Sequence, residues 1–414
     1  MHPPVRRANA AGPGNQAVKV ARPALELAAI FRRHGVHYRR NHRLPREQLR
    51  VMRAIEICRT ATLGGHVDQC GNCGQTRQSY NSCRNRHCPK CGSLARARWL
   101  QQRQQELLPV DYFHVVFTLP AALADLALQN KRTLYDLLFR ASMETLLTIA
   151  RDRRHLGAEI GFFGILHTWG QNLLHHPHVH YVIPGGGIGP DHDRWVSCRP
   201  GFFLPVRVLS ALFRKRFLTA LEKLFQQGKL KFLGALEQLR DPAAFARYLQ
   251  PLRQTDWVVY AKPPFGGPRQ VLEYLGRYTH RVAISNQRLL SCERGQVSFN
   301  WKDYRQQQRP RDMTLSADEF IRRFLLHTLP DGFQRIRFGG FLANCHRRHK
   351  LALIGRLLAQ PSAALLPLPK DCAELLAVLT GHPADECPYC RAGVMVRIQA
   401  LAPIPWPARP LDSS

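Results

Sequence analysis

Apolar residues first recur at helical spacing within residues 24–60, where Val51, Ile55 and Cys58 fall at i, i+4 and i+7, so this stretch is predicted helical. The pattern then breaks. Residues 69–92 carry cysteines, glycines and basic residues with no apolar period, and residues 93–108 return to a helical pattern bearing Arg96, Arg98 and Arg103. Residues 112–119 are β-branched and aromatic and stop at Pro120, which reads as a buried strand. Residues 121–154 are again helical in pattern, and 162–169 and 178–183 read as two strands, the second halted by Pro184 and the glycines 185–187. A helical insertion follows, with Phe217, Ala220, Leu221 and Leu224 on one stripe. Residues 256–261 form another strand. Gly267-Pro268 then opens a helix, because proline suits a first helical position. Short strands at 282–284, 288–292 and 296–301 come next, with Arg294-Gly295 as a turn. No repeat of fixed period is present. Strands interleaved with helices and joined by short returns predict an α+β fold with a mostly antiparallel sheet and helical insertions.

Composition narrows the partner. The chain has 414 residues, 45% of them hydrophobic, enough for roughly two to three domains. Lys and Arg number 60 against 29 acidic residues, a net charge of +31, which favours a polyanion such as DNA over a membrane or an acidic protein. No apolar run approaches the ~20 residues that span a bilayer. Residues 1–23 lack the apolar core of a secretory signal and read as a flexible basic arm. The rest divides into a cysteine-rich module at 24–110, a main domain at 111–330, and an extension at 331–414 that is Pro-rich from about residue 360 around a last Cys-x-x-Cys.

Twelve cysteines, eight of them in two groups that contain Cys-x-x-Cys pairs, suit reduced thiolates on zinc better than disulfides. Cys70, Cys73, Cys88 and Cys91 form two such pairs fourteen residues apart, the spacing of a closed tetrahedral zinc site in a helical, zinc-ribbon-like module. Cys83 and His87 lie inside that loop and Cys58 just before it; each can replace a ligand, serve a second zinc, or pack in a core. Arg84, Arg86 and Lys90 crowd the knot and make it a candidate DNA-docking surface, the plainer reading being a stabilising clip. Cys387 and Cys390 are half of a further site, with Cys345, His346, His349 or Cys372 as possible completions.

His178 and His180 alternate with Val179, so a strand places both imidazoles on one face, where they can grip a divalent cation. The plainer reading is a polar strand with solvated histidines; the glycines at 185–187 read as a turn rather than a phosphate cradle. In the helix after Pro268, Val271, Tyr274, Leu275 and Tyr278 fall at i, i+3, i+4 and i+7, which taken alone is the mark of a packed stripe. Set against the histidine strand, the two phenols become candidate nucleophiles. A phenol with pKa near 10 needs a nearby metal or base.

Three segments, running from Ser82 to Cys91, from His176 to Gly186 and from Tyr274 to Arg281, together resemble the two-tyrosine, HUH-type rolling-circle transposases of the insertion-sequence-91 family. Phe338 to His349 also resembles them. The resemblance implies an HUH nuclease domain with a central histidine strand. It further implies Mg²⁺ or Mn²⁺ on His178 and His180, nucleophiles at Tyr274 and Tyr278, Arg277 beside them on DNA, and structural zinc in the cysteine knot. Cleavage and rejoining of single-stranded DNA ends through 5′-phosphotyrosine is the expected activity, in a bacterial, cytoplasmic, nucleoid-associated protein able to oligomerise. His280, Gln171 and His114 are candidates for a third metal ligand. Alternative readings are a replication initiator or relaxase with the same chemistry, a metal-dependent phosphohydrolase, and a non-catalytic zinc DNA-binding regulator.

Overall fold

The computed structural model describes residues 25–265, 270, 283–303, 309–359 and 369–405. Its strands are β1 (Gly65–Cys70), β2 (Thr76–Tyr80), β3 (Tyr112–Thr118), β4 (Gly161–Trp169), β5 (His175–Pro184), β6 (Gly186–Ile188), β7 (Trp195–Ser197), β8 (Val259–Phe265), β9 (Leu289–Glu293), β10 (Gln296–Asp303), β11 (Arg309–Ser316), β12 (Ile336–Gly340) and β13 (Met395–Leu401). Among the described residues the largest sheet has the order β12-β4-β5-β3-β8, antiparallel at every pairing. The mixed α+β, antiparallel expectation is met.

Alternation splits this sheet into two unlike faces. Phe113, Val115 and Phe117 of β3, Leu166 of β4, and Val179, Tyr181 and Ile183 of β5 point to one side and share a core with the helices Lys131–Arg151 and Val206–Gln226. The second helix meets the sheet with Leu209, Phe213, Phe217 and Leu221, a four-residue spacing that keeps them on one stripe. Phe117 sits edge-on to Phe213 at 5.0 Å and to Tyr181 at 5.8 Å. Gly164 makes this packing possible, since a Cβ there would lie 2.5 Å from the Tyr181 ring. On the other face Tyr112, Phe163, Ile165 and Val182 are sealed by Leu108, Phe341, Leu342 and Ile354. The apolar cover stops there, and the remainder of that face carries imidazoles.

A second core joins segments far apart in sequence. Ile30 and Phe31 of helix Leu27–Asn41 and Met52 and Ile55 of helix Arg46–Glu56 pack with Val297 and Phe299 of β10 and with Phe320 and Phe324 of helix Ala317–Leu326. A third sheet, β13-β1-β2, brings residues 395–401 onto the start of the chain.

Several local expectations shift. The glycines after Pro184 are not a simple stop: β6 pairs with β7 there. Ala283 and Ile284 are a buried bend rather than a strand, and the strand expected at 256–261 runs from Val259 to Phe265. β11 and β12, unforeseen in the pattern, are rich in Arg and Gly and owe their strand state to pairing with neighbours.

Candidate functional site

The histidine face is assembled from three strands. His178 pairs with His167 across β4–β5, and His180 lies two residues further along the same face. Nitrogens of His167, His178 and His180 all lie within 4.8 Å of one another, close enough to share one cation. Hydrogen bonds fix how two of the rings present themselves. His178 Nδ1 donates to the His176 carbonyl at 2.6 Å, leaving Nε2 as its ligand atom. His180 Nδ1 lies 2.8 Å from His114 Nε2, with the two rings stacked nearly parallel.

Burial keeps His178, His180 and His114 neutral. It pushes His178 down to about 4, with charge on His176 adding to the effect, and holds His114 at about 3. His180 is driven well below its ordinary value, first by burial and then by its neighbours, Lys262 among them. A neutral imidazole keeps the lone pair that a metal needs. Lys262 pairs with His114 across β3–β8, so this cation stands at the edge of the same face. Exposed Tyr260 lies opposite Val116, which itself lies opposite His180, so it stands two strands from the histidines.

The third nitrogen was missed in the sequence. His114 bonds His180 rather than completing the trio. The available signal was the predicted strand at 162–169, in which Phe163, Ile165 and His167 share a face; only the register shows what that face meets. Tyr274, Tyr278, Arg277 and His280 lie outside the described residues.

The cysteines assort differently from their spacing. Cys70 and Cys73 do not meet Cys88 and Cys91. One group of four is Cys58, Cys83, Cys88 and Cys91, and the other is Cys70, Cys73, Cys387 and Cys390. β1 and β2 carry the first Cys-x-x-Cys turn away from the second, while Cys58, just past helix Arg46–Glu56, and Cys83 take its place. In the first group Cys91 Sγ stands 3.4 Å from Cys58 Sγ and 3.5 Å from Cys83 Sγ. Four thiols this close repel one another once ionised, and a bound cation would relieve that repulsion. Cys345, His346, His349 and Cys372 do not complete the Cys387–Cys390 pair, and His87 joins neither group, its Nε2 accepting from Leu329 N at 3.4 Å.

The basic residues of the knot divide as well. Arg86 donates to the carbonyls of Phe333 at 2.6 Å and Pro330 at 2.9 Å, and Lys90 pairs with Glu26 at 2.5 Å. Arg84 is exposed, at a left-handed φ of 51°. No helix among the described residues is long and apolar enough to cross a membrane.

Residues 161–350 match a family described as "Putative transposase", and residues 30–119 match one described as "Transposase zinc-binding domain". A protein of Sinorhizobium fredii named "Putative transposase y4qJ" is 58% identical over 398 residues, covering 95% of this chain and 100% of its own length. The "Transposase for insertion sequence element IS801" of Pseudomonas savastanoi pv. phaseolicola is 30% identical over 293 residues, 69% of this chain and 68% of that protein. No solved structure matches the chain.

Proposed function

The chain belongs to the insertion-sequence-91 family of transposases, and we propose that it cleaves and rejoins single-stranded DNA through 5′-phosphotyrosine esters in rolling-circle transposition. The observation that carries this reading is the trio His167, His178 and His180 gathered on one face of an antiparallel sheet, which we take as the metal face of an HUH nuclease. These nitrogens would hold Mn²⁺ or Mg²⁺, and a set without a carboxylate favours Mn²⁺ over the more oxygen-seeking Mg²⁺. A cation held there would supply Lewis-acid polarisation of a phosphoryl oxygen and charge stabilisation of the departing one.

The chain's own residues supply the rest. Burial keeps the lone pairs of His178 and His180 available, and the His176 carbonyl and His114 set the orientations of those two rings. Lys262 offers positive charge to a phosphate at the rim. The oxygen of Tyr274 or Tyr278 bonds to phosphorus as the bond to the 3′ oxygen breaks; the phenol gives up its proton and the 3′ oxygen gains one. Attack of a 3′-hydroxyl on the ester reverses the step and restores the phenol, so no nucleotide need be hydrolysed. The second phenol allows another strand to be cut while the first is held. For docking, Arg84, which is exposed, is one candidate and Arg277 another, whereas Arg86 and Lys90 serve mainly to anchor the knot to its neighbours.

Incubating the protein with labelled single-stranded element ends and Mn²⁺ tests the proposal. A covalent adduct that survives denaturation should form in the wild type and in Tyr260→Phe, vanish in Tyr274→Phe/Tyr278→Phe, and vanish on chelation. Tyr260 is the informative control, because it is an exposed phenol on the histidine face about 10 Å from His180 by strand spacing. Cleavage without any adduct would instead mean attack by water and sink the phosphotyrosine mechanism.

A further inference from the structure

The stretch matching the transposase zinc-binding domain contains six cysteines, and the group around Cys58 uses four of them. Cys70 and Cys73 remain, on a turn at the end of β1. Their partners come from the other end of the chain: Cys70 Sγ lies 3.7 Å from Cys390 Sγ, and Cys73 Sγ lies 3.7 Å from Cys387 Sγ.

The two turns are built alike. Gly74 N donates to the Cys70 carbonyl at 3.1 Å, and Arg391 N donates to the Cys387 carbonyl at 3.0 Å. Gly74 and Arg391, each just after the second cysteine, both adopt left-handed backbone, with φ of 70° and 54°. In the first turn the amides of Asn72 and Cys73 point at Cys70 Sγ, at 3.4 and 3.5 Å, a donor arrangement that stabilises a thiolate. The turns also interlock. Gly71 N donates to the Val394 carbonyl at 3.1 Å, and a Cβ on Gly393 would lie 2.5 Å from Cys70 Sγ.

We propose that Cys70, Cys73, Cys387 and Cys390 bind a second structural zinc ion that fastens the end of the chain to its first sheet. Four sulfurs from two facing Cys-x-x-Cys turns are the donor set of a closed tetrahedral site. The module also needs such a fastening. Its buried cluster consists of Cys70, Cys387 and Met395, while β13 leaves Val396 and Ile398 exposed, so apolar burial alone is a weak reason for β13 to stay on β1. The zinc-binding module is then complete only when residues 387–390 have joined it.

The test reads metal and thiol protection rather than strand cleavage, so it stands apart from the catalytic proposal. In full-length protein with His178→Ala and His180→Ala, which spares the count from zinc on imidazoles, each four-sulfur group should hold one zinc. Adding Cys387→Ser and Cys390→Ser should halve the bound zinc, and halve the sulfur-to-cobalt charge-transfer absorption of the cobalt-substituted protein. Retention of all the zinc would overturn the site. In the unaltered chain, Cys387 and Cys390 should resist alkylation until a chelator is added, whereas exposed Cys345 reacts at once. Alkylation of Cys387 and Cys390 as fast as Cys345 would overturn the proposal without any variant. A pair that resists equally before and after chelation would be protected by burial or a disulfide rather than by metal, and would equally overturn it.

Discussion

At the scale of single residues, the proposed metal face depends on a side chain that is not among the proposed ligands. His114 holds the ring of His180 from behind, through a 2.8 Å contact between nitrogens and a stacked arrangement. Partners of this kind fix which nitrogen faces the metal, and losing one typically weakens metal binding by about 10–100-fold. His114→Phe keeps the volume and removes the contact, so Mn²⁺ affinity should fall by that order while excess Mn²⁺ restores cleavage. A metal titration of the variant measures this. Unchanged affinity would show that packing alone orients His180.

At the scale of elements, β3 carries the site on one face and the core on the other. It lies between β5 and β8, with Phe117 buried against Phe213 and Tyr181 directly behind the histidine face. Truncating a fully buried aromatic to alanine costs about 3–5 kcal/mol. Phe117→Ala should lose that much stability in urea unfolding followed by circular dichroism. A loss below about 1 kcal/mol would mean that the sheet is not anchored here. The β-branched and aromatic run that predicts this strand is plain in residues 112–119. For β11 and β12 no such run exists to be read, because Arg- and Gly-rich segments become strands only when a neighbour satisfies their backbone.

At the scale of the molecule, the two large cores meet through polar side chains that bond backbone carbonyls. Lys131 Nζ donates to Leu326 O and Thr328 O, each at 2.8 Å, and Arg323 Nη1 donates to Asn172 O at 3.1 Å. His327 lies fully within this joint, its Nε2 donating to Leu173 O at 3.0 Å and its Nδ1 accepting from the Thr168 hydroxyl at 3.2 Å. Burial holds His327 at about 3, and burial likewise holds His175 at about 4, both below the 6.5 of an unfolded chain. The unfolded state therefore takes up protons first as the pH drops. The contribution of these groups is intact above about 6.5 and lost progressively from there towards 3. Urea midpoints should accordingly fall between pH 7.5 and pH 5. A flat profile, or one that rises on acidification, would contradict the neutral joint.

The sequence by itself determined the class of elements, the basic character that suits DNA, the alternation that puts His178 and His180 on one face, and the Cys-x-x-Cys turns. All of these follow from local periodicity and residue chemistry. Tertiary structure decided which groups meet. His167 reaches the pair through the β4–β5 register, and Cys58 and Cys83 take the places of Cys70 and Cys73 in the knot because a β-hairpin carries those two away. Cys387 and Cys390 join those two across more than three hundred residues because β13 pairs with β1. A ligand set is a statement about distances in space, and spacing along the chain constrains those distances only within a single turn or strand.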